Sequence, residues 1–334
     1  MIYKIQPLIR HLRPLILLFL ILISPISLKA ESKYAPLEIS KVKAEKIEKI
    51  VDDTKRNREI PVLIYLPTSK NPAPVILFSH GLGGSRKNSA FLGHHWARRG
   101  YICVFMQHKG SDNSLIKGGS WMDGGLKLLE AADKKNFILR VDDTHAVIDQ
   151  LGEWNQNSSH PLFGRLNLDQ LGMAGHSFGA QTTEAVSGEQ FADGSEFKDD
   201  RIKAALAMSP GVIPGNPPEK AFGTVNIPWF LMTGTEDALP PFGSFMEKSA
   251  LVYRSLPPGA KYQLILEKGN HFTFAGNRST EAIDLKSPNH LRSIAVLSTA
   301  FWDAYLKNDS TAKEWLNGNS PALILDKEDQ WFKK

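Results

Sequence analysis

Hydrophobic positions along this chain keep switching between a period near two and a period near 3.6. "VKAEKIEKIV" and "REIPVLIYLP" flank the polar turn "DDTKRN" and predict an antiparallel strand pair at a sheet edge. "PVILFSHG" is a short branched apolar run that ends in glycine, as a strand covered on both faces does. "SAFLGHHWARRG" carries Phe91, Leu92, Trp96 and Ala97 at helical spacing and stops at Gly100, and "YICVFMQH" predicts the next strand. "NFILRVDDTHAVIDQLGEWN" predicts a long amphipathic helix with Phe137, Ile138, Val141, His145, Ile148, Leu151 and Trp154 on one stripe. Arg140, Asp142 and Asp143 on that helix then read as a salt-bridged or solvated face. "QLGMAG", "IKAALAMSP", "PWFLMTGTED" and "YQLILEKGNH" predict four more strands, with helices after Ser177, over 242–255 and in "NHLRSIAVLSTAFWDAYL".

Continuous apolar strands that alternate with helices imply a mostly parallel central sheet with helices on both faces, here with an antiparallel N-terminal edge. Residues 31–38 read as a loose leader, 110–135 as an irregular glycine-rich insert, and 307–334 as an extra C-terminal tail. No linker-like stretch divides residues 31–334, so one domain is expected.

The first 30 residues are a separate object. Lys4, Arg10 and Arg13 precede an apolar run over 15–23, then Pro25 and Ser27 lead to a candidate cut after Ala30. This is the layout of a cleaved secretory signal, with an uncleaved N-terminal anchor as the alternative. A periplasmic or secreted protein with no stable membrane span after cleavage is expected. The segment also changes the charge reading: it holds Lys4, Arg10, Arg13 and Lys29 and no acid, so removing these four from the net charge of +5 leaves about +1. Nothing in that balance calls for a nucleic-acid partner. Cys103 is the single cysteine, so no intramolecular disulfide forms, and its place in "GYICVFMQH" makes it a small buried packing residue.

Ligands of such sheets gather at the carboxyl ends of the strands. Four of those ends read "HGLGG", "GHSFG", "GTED" and "GNHF": a glycine-rich turn, Ser177, an acid at Glu236 or Asp237, and His271. Serine is a poor nucleophile at neutral pH unless a base takes its proton, a third group orients that base, and N–H donors meet the oxyanion. The chain offers a candidate for each part. In "GHSFG", side chains at 175 and 179 would collide with strand or helix backbone, so glycines stand there. The turn lifts the Ser177 hydroxyl above the sheet and sets the Phe178 N–H at a helix N-terminus, where it can face an anion. His290, in "SPNHLR", is the competing base, although it reads as the first turn of the closing helix.

On "FSHGLGGSRKNSAFLGHHWARRGY" together with "GHSFGA", residues 60–306 resemble α/β-hydrolases, and within them the platelet-activating-factor acetylhydrolase and dienelactone-hydrolase-like esterases. The resemblance implies the α/β-hydrolase fold, Ser177 as nucleophile, Asp237 as acid, His271 as base, and an oxyanion hole from the backbone N–H groups of Leu82 and Phe178. It implies a serine esterase of carboxylic esters that needs no cofactor and takes a small-molecule, lipid or polymeric ester. An amidase or peptidase with the same triad, and a non-catalytic binding protein on the same fold, are the alternatives. Trp121 and Met122 either line a pocket or anchor the loop. His80 either braces the glycine-rich turn or is a satisfied structural histidine, and His176 reads as structural. His94 and His95 are adjacent on a helix and point in different directions, so no metal site is expected there. "GLGGSRK" lacks the ending of a phosphate loop.

Overall fold

The computed structural model describes residues 34–116, 121–276 and 289–334, with the side chains of 121 and 122 also left aside. The signal expected at residues 1–30 and the pocket roles expected of Trp121 and Met122 therefore lie outside the described residues.

The edge pair forms as its alternation requires: β1 (Glu45–Asp53) and β2 (Arg58–Leu66) run antiparallel, with Ile50 opposite Pro61. Next come β3 (Ala73–Ser79), α1 (Ala90–Arg98) and β4 (Ile102–Met106). After them follow α2 (Trp121–Ala131), α3 (Lys134–Gln156), β5 (Leu166–His176) and α4 (Phe178–Val186). The chain continues through β6 (Ile202–Met208), α5 (Pro218–Phe222) and β7 (Trp229–Glu236). The two-residue strands β8 (Ala238–Leu239) and β9 (Gly243–Ser244) pair with each other and lead into α6 (Phe245–Ser255). It closes with β10 (Lys261–Asn270), α7 (His290–Tyr305), α8 (Ser310–Asn317) and β11 (Gln330–Lys333).

Nine strands make one sheet in the order β1-β2-β4-β3-β5-β6-β7-β10-β11. The pairs from β4 through to β10 are parallel, and the flanks β1-β2, β2-β4 and β10-β11 are antiparallel. The period of two puts alternate residues on opposite faces. Ile76 and Phe78 pack with α1, α7 and α8, whereas Val75 and Leu77 pack with α3 and α4. This is the α/β-hydrolase fold. From β3 the chain goes to one side, to β4, and then crosses to the other side, to β5, so the order switches at β3 and a crevice opens at the carboxyl ends of β3 and β5.

Four sequence readings change. Residues 34–38 are not loose: Tyr34 is buried, its hydroxyl donates to Asp303 Oδ2 at 2.6 Å, and its ring meets Trp315. One aromatic anchor carries no periodicity, so pattern could not reveal it. Within 110–135 the chain is helical over α2, a helix hidden in the sequence because the Gly124–Gly125 pair lowers helix propensity and masks the leucines that follow. The C-terminal tail is folded: α8 packs on α7, and β11 extends the sheet, with Trp331 stacked on Tyr262. Four residues are too few for alternation to show a strand. Finally, of the salt-bridged or solvated face expected at Arg140, Asp142 and Asp143, the ion pairing holds at Asp143, which meets Arg56 and Arg58, but Asp143 and Arg140 are wholly buried and Asp142 alone of the three reaches water.

Cys103 is fully buried in β4, and burial pushes its thiol pKa well up. Among the described residues, no helix is long and apolar enough to cross a membrane.

Candidate active site

Strand β5 passes straight into helix α4 at Ser177, and the turn is held by steric necessity. A Cβ at position 175 would lie 2.0 Å from the Gly179 carbonyl oxygen, and one at 179 would lie 2.0 Å from that of Ser79. Any side chain at either position would drive the turn off the neighbouring backbone. Ser177 itself sits at φ 58°, ψ −118°, which for a non-glycine residue costs about 1–3 kcal/mol. The surroundings hold it there: its N–H donates to the Met208 carbonyl at 2.9 Å, and its own carbonyl accepts from Ala180 N–H at 2.8 Å.

Three strand ends converge on that hydroxyl. Ser177 Oγ lies 2.9 Å from His271 Nε2, and His271 Nδ1 lies 2.8 Å from Asp237 Oδ1. Asp237 is 1% exposed, and its second oxygen accepts from Ser209 Oγ at 2.7 Å and Thr233 Oγ1 at 2.8 Å. Its neighbour Glu236 is exposed. The Phe245 ring packs on the His271 imidazole, with centroids 4.4 Å apart, and restricts its tilt. His176 Nε2–H donates to the His271 carbonyl at 2.9 Å; burial and the neighbouring His271 hold its pKa down at about 3, so it is a neutral brace. His290 begins α7 and bonds the Glu267 carbonyl, away from Ser177. His94 and His95 are both buried in α1, where His94 meets Tyr65 edge-on.

The glycine-rich turn after β3 is oriented by His80. His80 is buried, and burial keeps its pKa well below the ordinary value. Its Nδ1–H donates to the Gly81 carbonyl at 2.7 Å, and its Nε2 accepts from His108 N–H at 3.1 Å. Gly84 N–H donates to the same Gly81 carbonyl at 2.9 Å. A trans peptide is planar, so pinning that carbonyl fixes the opposite direction of the Leu82 N–H. Phe178 opens α4, where the first N–H groups lack intrahelical partners. The two N–H groups expected to face an oxyanion thus border one crevice.

Beneath the turn lies a cluster built around Asp143, one of the three helix residues expected on a salt-bridged or solvated face. Asp143 Oδ1 and Oδ2 accept from Arg58 at 2.6 and 2.8 Å, and Arg56 adds a third bond at 3.1 Å. Burial opposes ionisation of Asp143, but the bonds from His108 and Arg58 outweigh it and hold the pKa down at about 2. His108 Nδ1–H donates to Asp143 Oδ2 at 3.0 Å, and its Nε2 accepts from Ser79 Oγ at 3.0 Å. Burial and the nearby Arg140 lower its pKa to about 4. His108 was the residue most open to discovery from sequence, since it stands at the end of the β4 run as His80 does at the end of β3.

A cavity of about 1810 Å³ opens over Ser177 and His271. Its walls are largely apolar, with Leu82, Leu126, Leu128, Phe137, Phe191 and Ile213 among them. Lys248 is a cation of the wall; its ammonium donates to the Phe242 carbonyl at 2.6 Å and stands over the Phe245 ring. Such a cavity can admit an apolar arm and hold a polar ester group at one end.

Residues 41–122 match the family described as platelet-activating factor acetylhydrolase, isoform II. The matched stretch contains the first four strands and the Leu82 turn and stops before Ser177. The platelet-activating factor acetylhydrolase of Cavia porcellus is 23% identical over 290 residues, which cover 75% of this chain and 62% of the relative's length. The chain thus matches less than two thirds of that relative. Both similarities point to an acetylhydrolase-like α/β-hydrolase.

Proposed function

We propose that this protein is an exported serine hydrolase of carboxylic esters, with Ser177, His271 and Asp237 as its triad. The observation that carries the reading is the continuous relay from a strained, half-buried Ser177 hydroxyl through His271 to a buried carboxylate, at the floor of a largely apolar cavity. His271 Nε2 takes the Ser177 proton as Oγ attacks the ester carbonyl. Asp237 holds the imidazole in the tautomer with Nδ1 protonated and stabilises the imidazolium that forms. Leu82 and Phe178 N–H groups receive the tetrahedral oxyanion, where one such donor is worth about 2.7–4 kcal/mol in other hydrolases. The intermediate collapses as His271 returns the proton to the leaving alkoxide. Water, deprotonated by the same imidazole, then attacks the acyl-enzyme and frees the acid and Ser177.

The similarity to proteins named platelet-activating factor acetylhydrolase favours an ester that carries an extended apolar arm, and the cavity wall has the matching chemistry. The basic, apolar N-terminal stretch favours export. The test is labelling with a fluorophosphonate, followed by a series of nitrophenyl esters of increasing acyl length and the matching anilides. Label on Ser177 and turnover of esters well above anilides is the expected result. Label elsewhere, or no turnover of any ester by labelled-competent protein, overturns the reading.

A further inference from the structure

Among the described residues, Arg140 is the one buried cation that touches both arms of the crevice. It is fully buried in the middle of α3, and among the described residues it forms no direct salt bridge. Each of its three guanidinium nitrogens nonetheless donates. Nη2 donates to Ser79 Oγ at 3.1 Å and, in a short contact, to the His80 carbonyl. Nη1 donates to Ser111 Oγ at 2.8 Å, and the Ser111 carbonyl accepts the Gly83 N–H at 2.9 Å. Nε donates to Thr182 Oγ1 at 3.2 Å, whose hydroxyl donates to the Phe178 carbonyl at 3.1 Å. The guanidinium also stands 4.7 Å from the centre of the Phe178 ring. On one side it therefore grips Ser79 and His80, just ahead of the Leu82 turn, and through Ser111 reaches Gly83 just beyond Leu82; on the other it holds the first turn of α4.

We propose that Arg140 is a positioning residue that ties the Leu82 arm and the Phe178 arm of the oxyanion site into one rigid frame. The warrant is geometric. Two N–H groups from different elements stabilise an oxyanion only when both keep their aim, and small misplacement costs rate steeply. A planar fork with five donors can hold several acceptors in fixed directions, which a flexible ammonium cannot. Burying a cation without a direct carboxylate is costly for the fold. Here Asp143 and Asp112 offset the charge from a distance while the donors themselves are spent on the two arms.

The proposal rests on Ser177 as nucleophile, so fluorophosphonate labelling of the wild-type protein comes first; no label on Ser177 overturns both readings. With label in place, Arg140→Met should lower kcat for a nitrophenyl ester by about 100-fold, the scale of a lost oxyanion donor, with KM held within about threefold. Affinity for a trifluoromethyl ketone, which presents an oxyanion on Ser177, should fall in parallel with kcat/KM. Arg140→Lys should regain part of both losses but not all. Should the Arg140 variants fail to fold, Ser111→Ala, which removes only one acceptor, should lower kcat and ketone affinity together by about fivefold while Tm stays near wild type. A folded Arg140 variant with wild-type ketone affinity overturns the proposal. So does a Ser111→Ala protein whose kcat and ketone affinity are both unchanged.

Discussion

The molecule contains the same three-residue relay twice. At the crevice, His271 joins Asp237 at 2.8 Å to Ser177 at 2.9 Å. Beneath it, His108 joins Asp143 at 3.0 Å to Ser79 at 3.0 Å. Distances alone do not separate them. Access does: Ser79, His108 and Asp143 are each 0% exposed, whereas Ser177 lines the cavity. So does the state of the serine. Ser177 holds a strained turn with its hydroxyl aimed outward, while Ser79 lies within a regular strand and its oxygen also accepts from Arg140.

The acids differ most. Asp143 is paired with two arginines, so its charge is already spent and little is left to stabilise an imidazolium at His108. Burial and the nearby Arg140 lower the pKa of His108 to about 4, and the pull of Asp143 in the other direction does not offset them. Asp237 is satisfied on its outer oxygen by two neutral hydroxyls, Ser209 and Thr233, so its full charge faces His271. Hydroxyl donors hold the carboxylate in place without neutralising it. A Ser-His-Asp geometry is therefore a catalytic candidate only when the serine meets substrate and the acid keeps its charge for the imidazole. The inner relay instead fixes the end of β3, from which the Leu82 turn departs.

The sharpest way to break this comparison is to delete each serine. Ser177→Ala should abolish fluorophosphonate labelling and lower kcat by at least about 10³-fold, since triad members act as a unit. Ser79→Ala should keep the label and lose no more than about tenfold in kcat, through a looser turn. If the two variants are equally inactive with both folded, the relays are not separable in this way.

Replacing each acid by its amide should split rate from stability. Asp237→Asn should lower kcat by about 10²–10⁴-fold with KM little moved, because it strands His271 in the wrong tautomer. Glu236→Gln, on an exposed carboxylate, should keep most of the activity. Asp143→Asn should act mainly on the fold, at a cost of about 3–5 kcal/mol, since it leaves Arg56 and Arg58 facing a neutral amide in a buried site. Thermal unfolding and steady-state kinetics on all three variants read the split. An Asp143→Asn protein with wild-type Tm would remove the structural role assigned to the inner relay.

The smallest effect is expected in acid. The pKa of Asp143 is depressed to about 2 in the folded chain, below its value in the unfolded one. The unfolded state thus binds the proton first as pH falls. The stabilisation is present above about pH 4 and is lost as pH drops towards 2. Between those limits wild type should lose stability with falling pH more steeply than Asp143→Asn, as measured by denaturant unfolding. Parallel slopes would show that Asp143 does not carry that part of the acid response.

Local order was legible from the sequence wherever a single segment contained the cause. The edge hairpin, the apolar strands and the long helix follow from periods that each segment carries within itself. Ser177 and His271 were legible as candidates because each stands where an apolar run stops, and Gly175 and Gly179 mark a turn with no room for a Cβ. The choice between Glu236 and Asp237 needed a family pattern from sequence, and in three dimensions it is decided by which carboxylate the end of β7 turns inward. The fate of Arg140 and Asp143 could not be read along the chain at all. Charged residues on a helix look solvated until the partners that compensate them are known, and those partners, Arg58, Ser79, His80 and Ser111, come from three distant segments. The same holds for Tyr34, which is anchored by Asp303, and for β11, which is a strand only because β10 offers it an open edge. Periodicity records which face of an element is apolar; only the assembled fold determines which buried charge meets which, because that pairing depends on contacts between segments far apart in the chain.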